Sequence, residues 1–308
     1  MTLGLTGVLQ HCGLIYRTSA EYLSGAGGFA RAALAAGDAV LVAVPEPHLS
    51  QLRTELGEAV FFADMAVAGR NPGRIIPGLL LGFAAAHHGR RVSIIAEPVW
   101  PARTAIEYPA CAAHEAMINA VFEGRDAAIL CPYDATRLDL SRLHDAWRTH
   151  PEMLVGTARR PSPWFADPFA AAAGFNQPLP DVPPGADTIR YHRLGCLTGI
   201  RRFLTARAAA AGLPAARVED LLIAVNELAQ NTLLHTAGGG TVSAWPEPGM
   251  LVCQVDDQGY LADPYAGRVR PPARTANGHG LILAHELCDL VRIHARTDGT
   301  SIRLHMSR

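Results

Sequence analysis

The distribution of apolar and polar positions divides the chain into two halves that predict different orders of elements. In the first half, apolar runs of strand length alternate with helical segments. The runs are DAVLVAVP, AVFFADM, VSIIAEP and AAILCPYD, and the helical segments are SQLRTELG, GRIIPGLLLGFAAAHHG, AIEYPACAAHEAMINAVFEG and LSRLHDAWRTH. Strands that alternate with helices predict a mostly parallel sheet with helices on both faces.

The second half starts with helices instead of a strand. HRLGCLTGIRRFLTARAAAAGL and PAARVEDLLIAVNELAQNTLLHT each read as one helix. The strands GTVSAWPEP and MLVCQVDDQG follow them, then the helix GLILAHELCDLV and the strands RIHARTD and TSIRLHMS. This order predicts an α/β sandwich with a mixed sheet.

A proline-rich stretch separates the two halves. Seven of the 22 prolines lie between Pro161 and Pro184, and proline blocks the continuation of a helix, so the stretch predicts an extended connector. Its four aromatic side chains favour a connector that lies against one of the domains; they are Trp164, Phe165, Phe169 and Phe175. The predicted boundaries are 1–158 for the first domain, 159–187 for the connector and 188–308 for the second domain.

Composition and charge narrow the classes of function. With 49% hydrophobic residues and a net charge of −1, the chain can build real cores and has no basic field that would attract nucleic acid or an anionic membrane. The six cysteines form no CxxC pair, and we expect no signal peptide and no membrane span, which favours a cytoplasmic protein. The chain contains no lysine, which excludes a Walker-type phosphate loop and a Schiff base.

The segment from Asn226 to Gly240 carries the first candidate chemistry. Glu227, Asn231 and His235 are spaced by four, so they share one face of the predicted helix. A carboxylate, an amide oxygen and an imidazole in line suit a hydrated Mg²⁺ ion with phosphates, but a solvated polar face has the same spacing. The glycines 238–240 then end the helix.

Two further short motifs follow in order. Asp257 and Gly259 come at the end of a hydrophobic strand, where the carboxylate can accept from an exocyclic amine such as that of adenine. Gly278-His279-Gly280 opens the next predicted helix, and glycines at a helix start expose N–H groups to phosphate. Each motif alone is a weak signal, since ordinary turns contain both.

Taken in this order, the three motifs resemble those of the GHKL ATP-binding superfamily, across about residues 188–308. The Glu-Asn helix is similar to its N box, Asp257-Gln258-Gly259 to its G1 box and Gly278-His279-Gly280 to its G2 box. The resemblance implies a GHKL (Bergerat) α/β sandwich that binds ATP and Mg²⁺. Within it, Asn231 would be the Mg²⁺ ligand, and the remaining residues of the nucleotide site would be His235, Asp257, Gly259, Gly278, His279 and Gly280.

Within that superfamily the chain looks most like the branch of anti-sigma factors and serine kinases. Arg201-Arg202-Phe203 on the first helix and NTLLHT, which begins at Asn231, are similar to segments of that branch. The resemblance implies that Glu227 is the general base for a partner's serine hydroxyl. The implied partners are a sigma factor and an anti-anti-sigma protein of the STAS type.

The chain departs from the family pattern in ways that leave the catalytic question open. Tyr-Leu follows Gly259 in place of a second glycine, and the short lid carries Arg268, Arg270 and Arg274. These arginines are candidates for triphosphate contacts or for acids on a partner, or they form a solvated loop. The chain is therefore either an ATP-dependent protein serine/threonine kinase or a non-catalytic binding module. A histidine-kinase output is disfavoured, because no helical phosphoacceptor histidine precedes the N box.

In the first half, polar residues cluster near predicted strand ends and on one helix. Ligands of open α/β sheets bind at the carboxyl ends of the strands, which makes these residues candidates for a sensory pocket. They are His11, Tyr16, Glu97, Arg103, Glu115, Asn119 and Asp134. Alternatively, Glu97 and Arg103 simply pair with each other. His11-Cys12 is not a metal motif, because no partners follow at metal-ligand spacing.

The layout HCGLIYRTSAEYL, NPGR, AEPVW, HEAMIN and LCPYD resembles the MEDS sensory domain across about residues 1–155. The resemblance implies a RecA-like αβα sandwich without a phosphate loop, which senses small, hydrocarbon-derived molecules. Together, the two resemblances predict a transcription regulator whose sensory domain gates an anti-sigma or kinase domain. A homodimer is left open.

Overall fold

The computed structural model of the chain describes residues 8–271 and 278–308. The chain divides into two compact units, Met1–Phe175 and Asn176–Arg308, so the division falls inside the predicted connector. The domain boundaries drawn from the sequence stay predictions.

The first unit is built on a seven-stranded sheet in the order β3-β2-β4-β5-β1-β6-β7, parallel except for the antiparallel β6–β7 pair. The strands are β1 (Gln10–Tyr16), β2 (Ala39–Val44), β3 (Phe61–Asp64), β4 (Val92–Ala96), β5 (Ala127–Asp134), β6 (Glu152–Val155) and β7 (Ala158–Pro161). The helices are α1 (Ser19–Tyr22), α2 (Gly28–Ala35), α3 (His48–Leu56), α4 (Met65–Ala68), α5 (Leu81–Ala86), α6 (Tyr108–Val121), α7 (Leu140–Thr149) and α8 (Pro168–Ala173).

Alternation along the strands gives this sheet two buried faces. Leu14 and Val42 pack on one face with Tyr22 and Leu52, which α1 and α3 supply. The opposite face, which carries Cys131, lies against α6. A central sheet with helices on both sides confirms the predicted αβα sandwich.

The sequence pattern did not predict β1, β6 and β7. β1 lies between β5 and β6, and all but its first residue are buried, although its run QHCGLIY mixes polar and apolar residues. The predicted helix around GRIIPGLLLGFAAAHHG is a π-helical segment, Ile75–Leu80, followed by α5. Pro77 lies inside that segment and cannot donate a backbone hydrogen bond, which disfavours regular α-helix there.

The predicted connector is not extended throughout. Its first part contains α8, and the carboxylate of Asp167 caps this helix by accepting from the N–H groups of residues 169 and 170. Trp164 packs edge-on against Trp147 in the first unit, with ring centroids 5.5 Å apart. In the second unit, the side chain of Asn176 bonds both the N–H and the carbonyl of Ala295. The first part of the connector therefore packs on the first unit through Trp164, and Asn176 is hydrogen-bonded to the backbone of the second unit.

The second unit contains a five-stranded sheet in the order β11-β12-β10-β9-β8. Its elements are β8 (Asp187–Tyr191), α9 (Leu197–Ala210), α10 (Ala215–His235), β9 (Gly240–Glu247), β10 (Met250–Asp257), α11 (Gly280–Leu287), β11 (Leu290–Arg296) and β12 (Gly299–Ser307). All its pairings are antiparallel, so the expectation of a mixed sheet was wrong. β8, which the pattern did not predict, completes the sheet beside β9.

The core of the second unit lies between the three helices and one face of the sheet. Leu204, Leu221 and Leu228 from α9 and α10 pack with Val242 and Leu304 from the strands. This arrangement confirms the predicted α/β sandwich. Within residues 8–271 and 278–308, no helix has both the length and the apolar character needed to cross a bilayer.

Candidate functional site

α10 presents the predicted Glu-Asn pair at the border of the core. Pro214 precedes the helix, whose apolar side is buried at positions such as Leu228. Glu227 and Asn231 are half-buried one turn apart, while His235, the last helical residue, is exposed. The helix therefore places the carboxylate of Glu227 and the carboxamide of Asn231 next to the core, where both stay accessible to a ligand.

The start of α11 lies directly against this polar pair. A Cβ atom placed on Gly280 would lie 2.5 Å from Asn231 Nδ2 and 3.4 Å from Glu227 Cβ. A larger side chain at this position would have to displace the Asn231 carboxamide. The packing of Gly280 also places the start of α11, whose N-terminal N–H groups can bind a phosphate, beside the Asn231 amide group. The structure thus places Gly280, the last residue of the Gly278-His279-Gly280 motif, against Glu227 and Asn231.

The end of β10 is tied to the same helix. Asp257 Oδ2 accepts from Thr232 Oγ1 at 2.6 Å, and Oδ1 accepts from the N–H of Gly259 at 2.8 Å. Tyr191 donates in turn to Thr232 Oγ1 at 2.9 Å. Because a carboxylate has about four lone-pair sites, Asp257 keeps capacity for an incoming amine. The three predicted motifs therefore converge along α10.

Two of the three lid arginines have partners within the second unit. Arg268 donates to the carbonyl of Pro264 at 2.8 Å. Arg270 forms an ion pair with Glu286 on α11. Arg274 lies outside the described residues. The two described arginines would have to exchange these partners to bind a triphosphate.

A cavity of about 530 Å³ lies beside the end of β10. Its described lining includes Asp257 and Gln258 but no residue of α10, so it does not contain the Glu-Asn pair. The lining residues are Arg190, Tyr191, His192, Gly238, Gly239, Gly240, Thr241, Asp256, Asp257 and Gln258.

The structure distributes the candidate sensory residues over three places. The first lies between the sheet and α6, where His11 Nδ1 is 3.0 Å from Asn119 Oδ1 and His11 Nε2 is 3.5 Å from Glu115 Oε2. All of this cluster except Asn119 is fully buried. Burial, followed by the nearby His150, lowers the pKa of His11 to about 4, so its imidazole is neutral.

The second place is the carboxyl edge of the parallel strands, where Tyr16 and Asp134 are register partners. Tyr16 donates to Glu97 Oε1 at 3.4 Å, and His48 Nδ1 lies 3.2 Å from Glu97 Oε2. Burial raises the pKa of Glu97 despite the contacts with His48 and Tyr16. This edge therefore holds a buried carboxyl group of perturbed acidity, where ligands of open sheets bind.

Arg103 occupies the third place and does not take Glu97 as its partner. Its guanidinium donates to the carbonyls of Pro98, Arg70 and Gly69 and contacts Glu107. It also stacks on Trp100 at 3.8 Å. The side chain joins loop backbones, and the alternative of a Glu97–Arg103 pair is wrong, because each residue has other partners.

Sequence reasoning did not single out His48, Cys131, His150 or Thr232. Cys131 and His11 are 120 residues apart in the chain, yet their Sγ and Nε2 atoms are 3.5 Å apart. Thr232 lies inside NTLLHT, but its contact with Asp257 depends on how α10 packs on the sheet. No local spacing signals these neighbours.

The buried Glu97 predicts a specific pH dependence. Its pKa in the folded protein is raised above the ordinary value of about 4.3, so folding favours the protonated carboxyl group. This contribution to the free energy of unfolding is fully present below about pH 4.3 and is lost as the pH rises through the folded pKa. Glu97→Gln keeps an acceptor for Tyr16 and removes the titration. We expect the denaturation midpoint of this variant to fall less steeply than that of the wild type from about pH 5 upward, just above the ordinary glutamate pKa. The exposed Glu58→Gln serves as control, and equal slopes in wild type and Glu97→Gln contradict the prediction.

Two family descriptions match the chain. "MEDS: MEthanogen/methylotroph, DcmR Sensory domain" matches residues 10–151. "Histidine kinase-like ATPase domain" matches residues 192–306 and implies a nucleotide ligand. Both confirm the resemblances drawn from the sequence.

Part of the chain is also similar to the crystal structure of the RsbU and RsbW domains of Rv1364c from Mycobacterium tuberculosis. The identity is 21% and the TM-score 0.32, and the match covers 41% of this chain and 34% of that chain, about a third of its length. No curated protein sequence matches the chain. The chain therefore carries a MEDS domain at residues 10–151 and a histidine kinase-like ATPase domain at residues 192–306.

Proposed function

We propose that the protein is an anti-sigma regulator whose second unit binds ATP with Mg²⁺ and phosphorylates a serine on a protein partner. The contact that supports this proposal is that of Gly280 with Asn231 and Glu227. It places the N–H groups at the start of α11, which can bind phosphate, beside the side chains that we propose as metal ligand and base. ATP with Mg²⁺ supplies the phosphoryl group.

Each residue of the arrangement has a role that follows from its chemistry. The Asn231 carboxamide oxygen is a hard ligand of the kind Mg²⁺ prefers. Glu227 lies one turn away and would accept the proton of the serine hydroxyl. Asp257, held by Thr232 and Gly259, would accept from the exocyclic amine of the base.

The partner class rests on the resemblance of the second half to anti-sigma factors. A sigma factor and a STAS anti-anti-sigma protein are the partners we propose, with the serine on the latter.

The sensory domain would regulate this activity through a small molecule. A ligand can shift the second unit only if it binds two states of the protein with different affinity. The carboxyl edge with Tyr16, Glu97 and Asp134 is the place we propose for this ligand, because it combines a buried carboxyl group with the strand ends.

Glu227→Ala tests the catalytic assignment. Removing the base should lower transfer of labelled phosphate to a STAS protein about 100-fold or more, the usual contribution of a positioned acid or base. Nucleotide affinity should change little, because Asn231 and the N-terminus of α11 remain. The measurement is single-turnover transfer from radiolabelled ATP, together with calorimetric nucleotide binding.

The matched control is Glu219→Ala, an exposed glutamate on the same helix. It should leave both quantities unchanged. Normal transfer by Glu227→Ala would overturn the role of Glu227. If the wild type binds the partner tightly but transfers no phosphate, the alternative of a binding module with little ATP turnover is favoured. The motivation for this alternative is that Tyr260-Leu261 follows Gly259 in place of a second glycine.

A further inference from the structure

Four buried side chains of the first unit direct metal-ligating atoms at one point. They are His11, Glu115, Cys131 and His150, and one ligand atom from each lies within 4.8 Å of all the others. His11 comes from β1, Cys131 from the neighbouring β5, Glu115 from α6, and His150 follows α7. These elements meet in the interior, on the face of the sheet that α6 covers.

Three of the six distances between the ligand atoms match the edges of a tetrahedral coordination shell. His11 Nε2 and His150 Nε2 lie 3.5 and 3.2 Å from Glu115 Oε2, and Cys131 Sγ lies 3.5 Å from His11 Nε2. Ligand atoms at zinc bond lengths of about 2.0–2.3 Å form tetrahedron edges of about 3.3–3.8 Å. A cation could therefore enter with only small side-chain shifts.

Hydrogen bonds outside the cluster set the tautomers of both imidazoles. The Asn119 amide donates to the carbonyls of Ala116 and Thr149, so its oxygen faces His11 Nδ1 as an acceptor. His150 Nδ1 lies 2.8 Å from the carbonyl of Ala146. Both Nδ1 atoms are therefore donors, and both Nε2 lone pairs point into the cluster. Metal-binding histidines show the same pattern, since the ring nitrogen that does not bind the metal donates to a neighbouring acceptor.

Without a cation, the Cys131 thiol can donate to His11 Nε2, but the other acceptors of the cluster face one another. Both carboxylate oxygens of Glu115 and Nε2 of His150 lack a hydrogen-bond partner among the described residues. Donation by both Nε2 atoms would require two imidazolium ions, with ring centroids 4.1 Å apart, in a site closed to water. Burying two like charges against one carboxylate is costly.

We propose that these four residues form a closed binding site for one Zn²⁺-class divalent cation. Two neutral imidazoles, one carboxylate and one thiolate balance the two positive charges. Cys131 gives its thiol proton to solvent as the metal–sulfur bond forms, and no oxidant or reductant is needed. Imidazole and thiolate ligands select zinc or cobalt over Mg²⁺ and Ca²⁺. Since all four ligands are protein atoms, the metal is structural and joins β1, β5, α6 and the end of α7.

Glycine at position 13 makes room for this cluster. Gly13 is the register partner of Cys131, and a Cβ atom there would lie 2.7 Å from Met153 Sδ and 3.4 Å from His150 Cγ. A larger residue would have to displace the end of the Met153 side chain and would contact the His150 ring. The backbone of β1 therefore lets His150 approach the other three ligands.

The first test uses the full chain and needs no mutation. Protein purified without added metal should contain about one zinc per chain by elemental analysis, as a closed structural site does. After chelation, added Co²⁺ should give the intense visible bands of tetrahedral cobalt and a sulfur-to-cobalt charge-transfer band. Absence of zinc together with absence of these bands overturns the proposal.

The second test compares two buried thiols on neighbouring strands. Cys131→Ala should remove the charge-transfer band and weaken Co²⁺ binding by about 100-fold or more. Removing a residue that only hydrogen-bonds to a metal ligand costs about 10- to 100-fold in metal affinity, so the loss of a ligand should cost at least as much. Cys12→Ala, whose side chain faces the opposite side of β1, should keep both. Asn119→Ala should weaken binding about 10- to 100-fold while retaining the band. Equal spectra of the two cysteine variants would overturn the assignment.

Discussion

Gly239→Ala should lower the free energy of unfolding of the second unit by about 4 kcal/mol, among the largest effects of single substitutions. Gly239 has φ +69°, and an added Cβ would lie 2.6 Å from His192 Cα and closer still to the carbonyl oxygen of Tyr191. Both atoms belong to backbone that follows or ends β8, so they cannot rotate away. The variant must separate β8 from the turn that leads from α10 into β9.

Gly249→Ala is the matched control, because Gly249 has φ +76° and open space around its Cα. It should cost about 1 kcal/mol, the strain of the left-handed backbone alone. Denaturant unfolding of the full chain, followed by hydrogen exchange of peptides from β9, measures both losses. Equal losses in the two variants would mean that the close approach to β8 does not exist.

Arg103→Ala should destabilise the first unit by about 4 kcal/mol, because it leaves buried carbonyls without a donor and removes a desolvated cation–π contact. Only 3% of Arg103 is exposed, and its guanidinium bonds the carbonyls of Gly69, Arg70 and Pro98. Arg103→Lys should recover part of the loss, since an ammonium group cannot reproduce the planar fork.

Arg90→Ala is the control for this prediction. Arg90 is exposed and donates to one carbonyl, that of Gly37, at 2.8 Å, so its loss should stay within about 0.5 kcal/mol. Denaturation midpoints of the full chain separate the two variants. If Arg103→Ala keeps wild-type stability and instead changes the response to a small molecule, Arg103 serves ligand binding, as its place near a strand end led us to expect.

Much of both folds was predictable, because their strands and helices have strong local patterns. AVLVAV in β2 is apolar at every position, and all six of its residues are buried. In α10, Leu221, Val225 and Leu228 recur at helical spacing and face the core. By contrast, β1 carries His11 and Gly13 within a strand, and its pattern matches neither a clean alternation nor a continuous apolar run.

The predicted nucleotide site rested on motif order, and its geometry depends on packing. Glu227 and Asn231 share a helix face because they are four residues apart, and this spacing can be read from the sequence. That Gly280 lies against Asn231, and that Thr232 bonds Asp257, depends on how α10 crosses the sheet and meets α11. The ion pair of Arg270 with Glu286 likewise depends on how the lid packs on α11.

Local periodicity and motif order determined the α/β class of both units, the polar face of α10 and its end at the glycines 238–240. Tertiary structure alone decided that His11, Glu115, Cys131 and His150 meet, and that Glu97 pairs with His48 instead of Arg103. The physical reason is separation along the chain. Helix and strand periods relate residues a few positions apart, whereas a parallel sheet brings together strands more than 100 residues apart, and only their register sets which side chains touch.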